Sequence, residues 1–544
     1  MKKSISKITF ALIVATSMLL TGCSSGNTTV SDTSTETEGA NATTETEGDN
    51  ASTETTDEVN YKDELNIAIT ANPPTLDVHG SSSNIVAGIG QHIYEPLFAL
   101  NSDYEPTPVL AESYEVDESG LVYTIKLREG IMFHNGQEMV ADDVVASMTH
   151  WLEASSKANT LIGGSVFEKV DDYTVTLTVN KAASDIMLIL ANPSQFAAIY
   201  PKSSVDAATA EGISDYIGTG PYYLEEFAVD QYVKLAKYVN YKSLEGEPSG
   251  FTGAKNAPTE TLYFRIVTDD TTRIGGVQTG EYDISESIPL ENFAELSLDE
   301  TLSLSSKPTG SLNLFLNTQT GVLADENMRQ AVIAALNCDD IMLAAFGDEN
   351  LYSLYPGMFN ESNIQWANEG GSEYYNQNNI EKAKELLAEA GYNDEPIVLV
   401  TTPDYSEMYK STLVVQEQLK QAGMNAVVES YDFNTFMEYR ADINKFDLFI
   451  TSNSYGLLPV QLSILSESWS GFNAPEVQEG IDAIRFASSS EEASQEWENL
   501  QTFIYEYGAE SVLGHYYSII APNSEVEGFD NFHYPIYWNA KIKE

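Results

Sequence analysis

A regular alternation of helical and strand patterns between residues 380 and 450 limits the folds open to this chain more than any other feature. Residues 380–390 carry an apolar helical face that ends at Gly391, a residue suited to a helix C-cap. Helical patterns also cover 409–422 and 433–439, and short apolar strand patterns cover 397–400, 426–428 and 446–450. Short loops between such elements predict a largely parallel sheet covered by helices. Ligands of such α/β folds bind at the carboxyl ends of the strands.

Alternating strand patterns also occur upstream, at 65–69, 122–127 and 173–179. A helix is predicted to begin near Ala141, because Asp142 and Asp143 suit its positive N-terminal end. The chain of 544 residues is too long for one ordinary domain and suits two or three. With 42% hydrophobic residues, it has enough apolar side chains to form real cores.

The charge of the chain excludes several classes of partner. There are 82 acidic residues against 27 basic ones, which gives a net charge of −55. A general nucleic-acid binder is excluded, because such a chain has too few cations to neutralise phosphates. Unaided adhesion to anionic lipid is disfavoured for the same reason. Two cysteines are too few for a disulfide framework or a Cys-rich zinc site.

The N-terminus predicts export. Lys2, Lys3 and Lys7 precede a mostly apolar stretch at 8–20, which is too short to span a bilayer comfortably. The next residues, Leu-Thr-Gly-Cys at 20–23, resemble a bacterial lipobox. The resemblance implies that 1–22 is a lipoprotein signal peptide and that Cys23 is lipidated. We therefore expect a lipoprotein on the outer face of the cell membrane or in the periplasm, with only the lipid in the membrane.

Residues 23–60 are predicted to be an acidic, disordered tether. After Cys23 the segment consists mainly of Ser, Thr, Gly, Asn, Ala, Asp and Glu, and it has no Lys or Arg before residue 61. It repeats the sequence Thr-Glu-Thr-Glu-Gly at 35–39 and 44–48. Such a segment cannot bury enough surface to offset its ordering entropy. Its like charges extend it, so it would hold the folded part away from the membrane.

The sequence gives no sign of catalytic chemistry. It contains no His-Glu-x-x-His, Gly-x-Ser-x-Gly, Walker or Gly-x-Gly-x-x-Gly motif. The six histidines are scattered, and none is paired at metal-ligand spacing. Cys338 is predicted to be a packed, inert thiol at a helix end. We therefore predict no catalytic residue, no metal ligand and no cofactor.

Several short motifs occur in a defined order along most of the folded part. They are Ile-Tyr-Glu-Pro-Leu at 93–97, Leu-Ala-Glu-Ser-Tyr at 110–114, Tyr-Thr-Ile-Lys-Leu-Arg-Glu-Gly at 123–130, Phe-His-Asn-Gly at 133–136, Ala-Asp-Asp-Val-Val-Ala-Ser at 141–147, Gly-Thr-Gly-Pro-Tyr at 218–222, Gly-Glu-Tyr-Asp-Ile at 280–284 and Met-Arg-Gln-Ala at 328–331. This ordered set resembles the family 5 extracellular solute-binding proteins, the peptide/nickel-type receptors of ABC importers. The lipobox and tether fit the lipoprotein form of such a receptor.

The resemblance implies an α/β, two-lobed periplasmic-binding-protein-like fold, type II and cluster C-like. An extra domain is inserted in lobe I, and the two lobes close on a hinge over a ligand cleft. The implied divisions are lobe I at 61–99, 215–309 and 512–544, the inserted domain at 100–214, and lobe II at 310–511. The implied partners are a small-molecule or oligopeptide ligand and the permease subunits of an ABC importer. We expect a monomer that binds no nucleic acid.

The ligand is expected to depend on the loop at 451–459. In peptide receptors that this chain resembles, a Trp and an Asp precede a Pro in this loop, and the Asp holds the ligand's α-amino group. Aligned on Pro459, Ser452 takes the Trp place and Tyr455 the Asp place, and no acidic residue lies between 447 and 467. The usual amine anchor is therefore missing, unless an acidic residue outside the loop replaces it. The loop also lacks the histidine of the nickel receptors.

The candidate ligand-binding residues come from three places: Ser452, Asn453, Ser454 and Tyr455 in the loop, Thr219 and Tyr222 in the Gly-Thr-Gly-Pro-Tyr motif, and Arg440 for an anionic ligand. Hydroxyls, an amide and an aromatic face suit a peptide, our default cargo, or a saccharide. A metal-chelate receptor on the same fold is a further alternative. A surface-anchored enzyme or adhesin is a less favoured alternative.

Overall fold

The computed structural model describes residues 59–544. The predicted signal peptide, the predicted lipidation site Cys23 and the tether up to residue 58 lie outside the described residues. Residues 59–544 form one compact unit. Its first residues are fixed to the C-terminal end of the chain, since Tyr61 forms a β-bridge with Lys543 and its hydroxyl donates to Glu527 at 2.9 Å.

The strands of the described part lie in one large sheet and several small ones. They are β1 (Glu64–Ile69), β2 (Phe98–Leu100), β3 (Pro106–Pro108), β4 (Ala111–Val116), β5 (Val122–Leu127), β6 (Val166–Asp171), β7 (Thr174–Thr178), β8 (Tyr222–Ala228), β9 (Tyr232–Lys237), β10 (Thr261–Ile266), β11 (Ile284–Ser285), β12 (Ser305–Leu316), β13 (Tyr352–Ser353), β14 (Pro396–Thr401), β15 (Asn425–Ser430), β16 (Leu448–Ser454), β17 (Glu510–Pro522), β18 (Val526–Glu527), β19 (Asp530–Asn531), β20 (Pro535–Ile536) and β21 (Lys541–Ile542).

The α-helices pack around these sheets. They are α1 (Asn84–Ile93), α2 (Ala141–Ala154), α3 (Ser156–Ile162), α4 (Ile186–Ala191), α5 (Lys202–Asp206), α6 (Asp270–Thr279), α7 (Phe293–Leu296), α8 (Glu326–Ala335), α9 (Cys338–Phe346), α10 (Ile380–Ala390), α11 (Ser406–Gln421), α12 (Phe433–Arg440), α13 (Glu467–Ser470), α14 (Pro475–Arg485) and α15 (Ser490–Tyr507). Local sequence sets the ends of α10: the Asn379 side chain caps its start, and Gly391 ends it with a φ of 68°.

The alternation predicted for 380–450 is confirmed. Strands β14, β15 and β16 are parallel neighbours, and helices α11 and α12 connect them. The complete sheet is mixed rather than largely parallel, with the order β15-β14-β16-β12-β17-β11-β1-β10-β9-β8 and with β13 paired to β17 beside this path. It is mixed because the two long strands β12 and β17 run antiparallel to each other and to their outer neighbours.

Strands β12 and β17 join the two halves of this sheet. β12 pairs with β16 from Gly310 to Leu316 and with β17 along nearly its whole length. The far end of β17 pairs with β11 through Ala521 and Pro522. The lobe boundaries predicted at 309/310 and 511/512 fall inside these two strands.

The ladder between β12 and β17 is irregular between Pro308 and Gly310. Pro308 has no N–H to donate, so the regular pattern cannot continue through it. A Cβ on Gly310 would lie 2.1 Å from the Asn453 carbonyl oxygen and 2.4 Å from the Tyr516 hydroxyl. Only glycine fits at this point, where β12 passes from one half of the sheet to the other.

The region predicted to be an inserted domain contains a separate antiparallel sheet with the order β4-β5-β7-β6, packed by α2. This region also contacts α14. The Arg485 guanidinium donates to the Asp185 carboxylate at 3.0 Å and to the Leu161 carbonyl oxygen at 2.9 Å. Within the described residues, no helix has the length and apolar character needed to cross a membrane.

Candidate ligand-binding site

A cavity of about 1060 Å³ lies against the two long strands β12 and β17. Ile69 and Thr70, at the carboxyl end of β1, line it, as do Asn453 and Ser454 at the carboxyl end of β16. This is the place that α/β topology favours for a ligand. The volume is at the upper end of the range for small-molecule sites, so the cavity can hold a ligand of several chemical groups.

One wall of the cavity carries neutral side chains. Asn453, Ser454 and Tyr455, three residues of the predicted loop, line it. The Tyr455 hydroxyl donates to Nδ1 of His515 at 2.5 Å, and Nε2 of His515 donates to the Tyr355 carbonyl oxygen at 3.1 Å. Burial lowers the pKa of His515 to about 4, so its imidazole is neutral at pH 7. The hydroxyl of Tyr455 already has a partner inside the protein.

Two other predicted residues are outside the cavity lining. The Ser452 hydroxyl donates to the Glu407 carboxylate at 3.2 Å. The Arg440 guanidinium lies over the Trp469 ring, 4.0 Å from its centroid. The structure therefore places Arg440 on an aromatic face outside the cavity lining.

The predictions for Thr219 and Tyr222 are corrected by the structure, because both side chains are buried away from the cavity. The Thr219 hydroxyl donates to Glu95 at 3.0 Å, and the Tyr222 hydroxyl donates to the Thr259 carbonyl oxygen at 2.9 Å. A Cβ on Gly218 would lie 2.1 Å from the Ile93 carbonyl oxygen, so the glycine is required by packing against α1. The motif therefore stabilises the fold.

The cavity lining also includes charged groups that the sequence did not indicate. Tyr537 donates its hydroxyl to the Glu286 carboxylate at 2.6 Å, and burial raises the pKa of Glu286. The Lys307 ammonium lines the same cavity and has no hydrogen-bond partner among residues 59–544. Burial lowers the pKa of Lys307 to about 7, although the charges of Asp530 and Glu286 oppose this shift.

Buried amide groups of the cavity lining also lack partners. Both polar atoms of the Gln195 side chain are unpaired, as are the Oδ1 atoms of Asn313 and Asn531. Gln195 and Asn313 are only 4% and 6% exposed. An unsatisfied buried polar group costs about 1–3 kcal/mol. A ligand that supplies both donors and acceptors would remove this cost.

Glu510, the first residue of β17, also lines the cavity. It is 3% exposed, and burial raises the pKa of its carboxyl group to about 8. Sequence reasoning missed both Glu510 and Lys307. The sequence signal for Glu510 was its position at the start of the apolar strand pattern at 510–522. The signal for Lys307 was its position before Pro308 inside another strand.

Residues 105–474, more than half of the chain, match the model of the family described as "Bacterial extracellular solute-binding proteins, family 5 Middle". The chain belongs to this family. Family 5 proteins are substrate-binding receptors rather than enzymes, which confirms the prediction that this chain is not an enzyme. It is a solute-binding protein of an ABC importer, and the predicted two-lobed α/β fold is confirmed.

Similar proteins include binding proteins for peptides and for glutathione. The chain is 27% identical over 394 residues to the probable peptide ABC transporter periplasmic-binding protein y4tO of Sinorhizobium fredii, a match that covers 68% of this chain and 72% of the relative. It is 29% identical over 377 residues to the glutathione-binding protein GsiB of Escherichia coli, with 68% and 70% covered. The solved structure of HbpA2 from Haemophilus parasuis is similar in fold, with a TM-score of 0.76, 22% identity and coverage of 88% and 100%.

Proposed function

We propose that this family 5 receptor captures a peptide in the 1060 Å³ cavity and delivers it to an ABC permease. The observation that carries the proposal is the set of buried, unpartnered groups lining the cavity: Gln195, Lys307, Asn313 and Asn531. Each peptide unit offers one N–H donor and one C=O acceptor. Side-chain amides and an ammonium are complementary to such a backbone, and the peptide- and glutathione-binding relatives support this choice.

The direct experiment is mass spectrometry of the ligand that co-purifies with the chain, followed by calorimetry with a synthetic copy. We expect a peptide. Gln195→Ala should weaken its binding about tenfold, because two hydrogen-bonding atoms in the cavity are removed. Ser452→Ala is the matched control, since Ser452 is near the cavity but bonded to Glu407. A bound saccharide or metal chelate, or equal affinity of the Gln195 variant and the parent, would contradict the proposal.

We also propose that the receptor is held at the outer face of the cell membrane by lipid on Cys23. Support comes from the lipobox-like sequence at 20–23 and from the tether composition that follows it. Replacing Cys23 with Ala should move the protein from the membrane fraction to the soluble fraction. The control is Cys338→Ala, because Cys338 is the other cysteine and is buried in the fold. Retention of the Cys23 variant on the membrane would refute lipid anchoring.

A further inference from the structure

Glu510 lies at one end of the cavity, where it begins strand β17 opposite Phe315 of β12. Asn313, two residues earlier on β12, lines the same cavity with an unpartnered Oδ1 atom. Both side chains are more than nine-tenths buried. The strand pair therefore presents two acceptors to the cavity at this end.

Nothing in the described part of the chain compensates the Glu510 carboxyl group. On α15, buried Tyr505 is close enough for Glu510 to help raise its pKa, but its hydroxyl donates to the Pro356 carbonyl oxygen. The charged or titratable side chains that share the cavity lining with Glu510 are Lys157, Glu286, Lys307, His533, Tyr104, Tyr455, Tyr534 and Tyr537. None of them forms a salt bridge or hydrogen bond with Glu510, and burial is the cause of its raised pKa. Burying a carboxyl group without a partner is costly, so a fold that keeps one against a cavity has a place for a partner there.

We propose that Glu510 binds a protonated amine or guanidinium of the ligand, so that the receptor selects cationic peptides. This rests on the proposed peptide-binding function. An ammonium or guanidinium would form a charge-assisted hydrogen bond with the carboxylate and would also stabilise its ionised form. The unoccupied carboxyl group is protonated at pH 7, since its pKa is about 8. Binding of a cation therefore releases the Glu510 proton to solvent.

The position of Lys307 suggests the length of such a ligand. Lys307 pairs with Ser518 across the strands, eight residues beyond Glu510 on β17. At about 3.3 Å per residue along an extended strand, the two backbone positions are about 26 Å apart. A ligand that places a cation at Glu510 and an anionic group at Lys307 is therefore an extended chain of several residues, rather than a single amino acid.

The first test uses the unmodified protein and pairs of peptides that differ only in charge. A peptide containing lysine should bind roughly tenfold to a hundredfold more tightly than the same peptide containing norleucine. An N-acetylated set separates the two sources of the cation. If acetylation weakens both peptides and lysine has no advantage over norleucine, the group at Glu510 is the α-amino terminus; if the lysine preference survives acetylation, it is a side chain.

The second test uses the Glu510→Gln variant, in which the amide keeps the shape but cannot ionise. The parent should release about one proton per cationic peptide near pH 7, measured by calorimetry in buffers with different ionisation enthalpies. Its affinity for that peptide should rise between pH 6 and pH 8. The variant should lose both the proton release and the charge preference, while Glu506→Gln, a change of an exposed residue on α15, should keep both.

The outcomes separate this proposal from the proposed function. If peptides bind without regard to charge and no proton is released, Glu510 is not a cation site, but the peptide receptor stands. If no peptide binds and a polyamine does, the cation site stands and the peptide cargo is wrong. If the Glu510→Gln variant folds and retains the charge preference, the assignment of Glu510 is overturned.

Discussion

Two buried glutamates of this receptor differ in what surrounds them. Glu95 is 1% exposed in the interior of the predicted lobe I, and Glu510 is 3% exposed at the cavity. Glu95 accepts from the Lys255 ammonium at 3.0 Å, the Thr219 hydroxyl at 3.0 Å and the Tyr241 hydroxyl at 2.7 Å. Glu510 accepts from no side chain of the described residues. Burial alone therefore does not tell a structural carboxyl group from one that recognises a ligand.

The difference in partners has opposite consequences for stability. The donors around Glu95 hold a fixed network, in which each member would be left buried and unpaired if the carboxylate were removed. The carboxyl group of Glu510 is instead a cost to the unoccupied fold. Changes at the two positions should thus act on different properties of the protein, and the following experiments separate them.

The largest effect is expected for Glu95→Ala. It leaves the Lys255 ammonium buried without its partner, which costs about 3–5 kcal/mol of folding free energy. Urea denaturation at pH 7 measures this loss. Exposed Glu260, which pairs with Lys237 at 3.2 Å, provides the control, since Glu260→Ala should cost no more than about 1 kcal/mol. Equal losses for the two variants would show that the buried network does not stabilise the fold.

Glu510→Gln is expected to have the next largest effect, and it depends on pH. The pKa of Glu510 is raised from 4.5 to about 8 in the folded protein, so the unfolded chain loses this proton first as pH rises. The protonated Glu510 carboxyl group therefore makes its full contribution to folding stability below pH 4.5, and this contribution is lost as the pH rises to 8. The variant should therefore exceed the parent in stability at pH 8, by on the order of 2–4 kcal/mol, and match it near pH 4. A constant difference between pH 4 and pH 8 would contradict this assignment.

Substitutions of two tyrosines are expected to have smaller effects, one on ligand affinity and the other on stability. Tyr455→Ala should weaken ligand binding by roughly 1–3 kcal/mol, because Tyr455 lines the cavity. Tyr222→Phe should leave binding unchanged and cost about 1 kcal/mol of stability, because only the hydrogen bond to Thr259 is lost. Calorimetry and thermal unfolding of both variants measure the two properties. Weakened binding in the Tyr222 variant would return the Gly-Thr-Gly-Pro-Tyr motif to the ligand site.

The smallest effect is expected when the residues before Tyr61 are removed. A chain that begins at Tyr61 retains the Tyr61 hydrogen bond to Glu527 and the salt bridge between Lys62 and Asp283. Its stability and ligand affinity should equal those of the mature chain within about 0.5 kcal/mol. A larger loss of melting temperature or affinity would show that the acidic segment packs against the folded part.

The sequence predicts local elements of this molecule well. The helix at 380–390 and the strands near 397–400 and 426–428 are present at nearly the predicted positions, because apolar periodicity and capping residues act within one element. The loop at 451–459 was predicted to contact the ligand from the resemblance to peptide receptors, and Asn453, Ser454 and Tyr455 line the cavity. These predictions do not require knowing which strands pair across long distances in the sequence.

The charged groups that line the cavity could not be predicted from patterns within single elements. Glu510 and Asn313 come together because β12 pairs with β17, and the two strands are about two hundred residues apart in the sequence. Among 82 acidic residues, the one local signal for Glu510 is its position at the start of an apolar strand pattern. The prediction for Thr219 was wrong for the converse reason. A glycine-rich turn resembles a ligand loop locally, while its glycines are required by the close approach of α1.

The cavity wall and the connection between the two halves of the sheet are the same two strands. A ligand that binds Lys307 or Thr309 contacts the irregular segment between Pro308 and Gly310 directly, with no other element between them. Substitutions in these strands should therefore change affinity and the rate of opening together. The Asp185–Arg485 contact lies outside these strands. Substitutions there are the better way to change how long a ligand is retained without changing how tightly it binds.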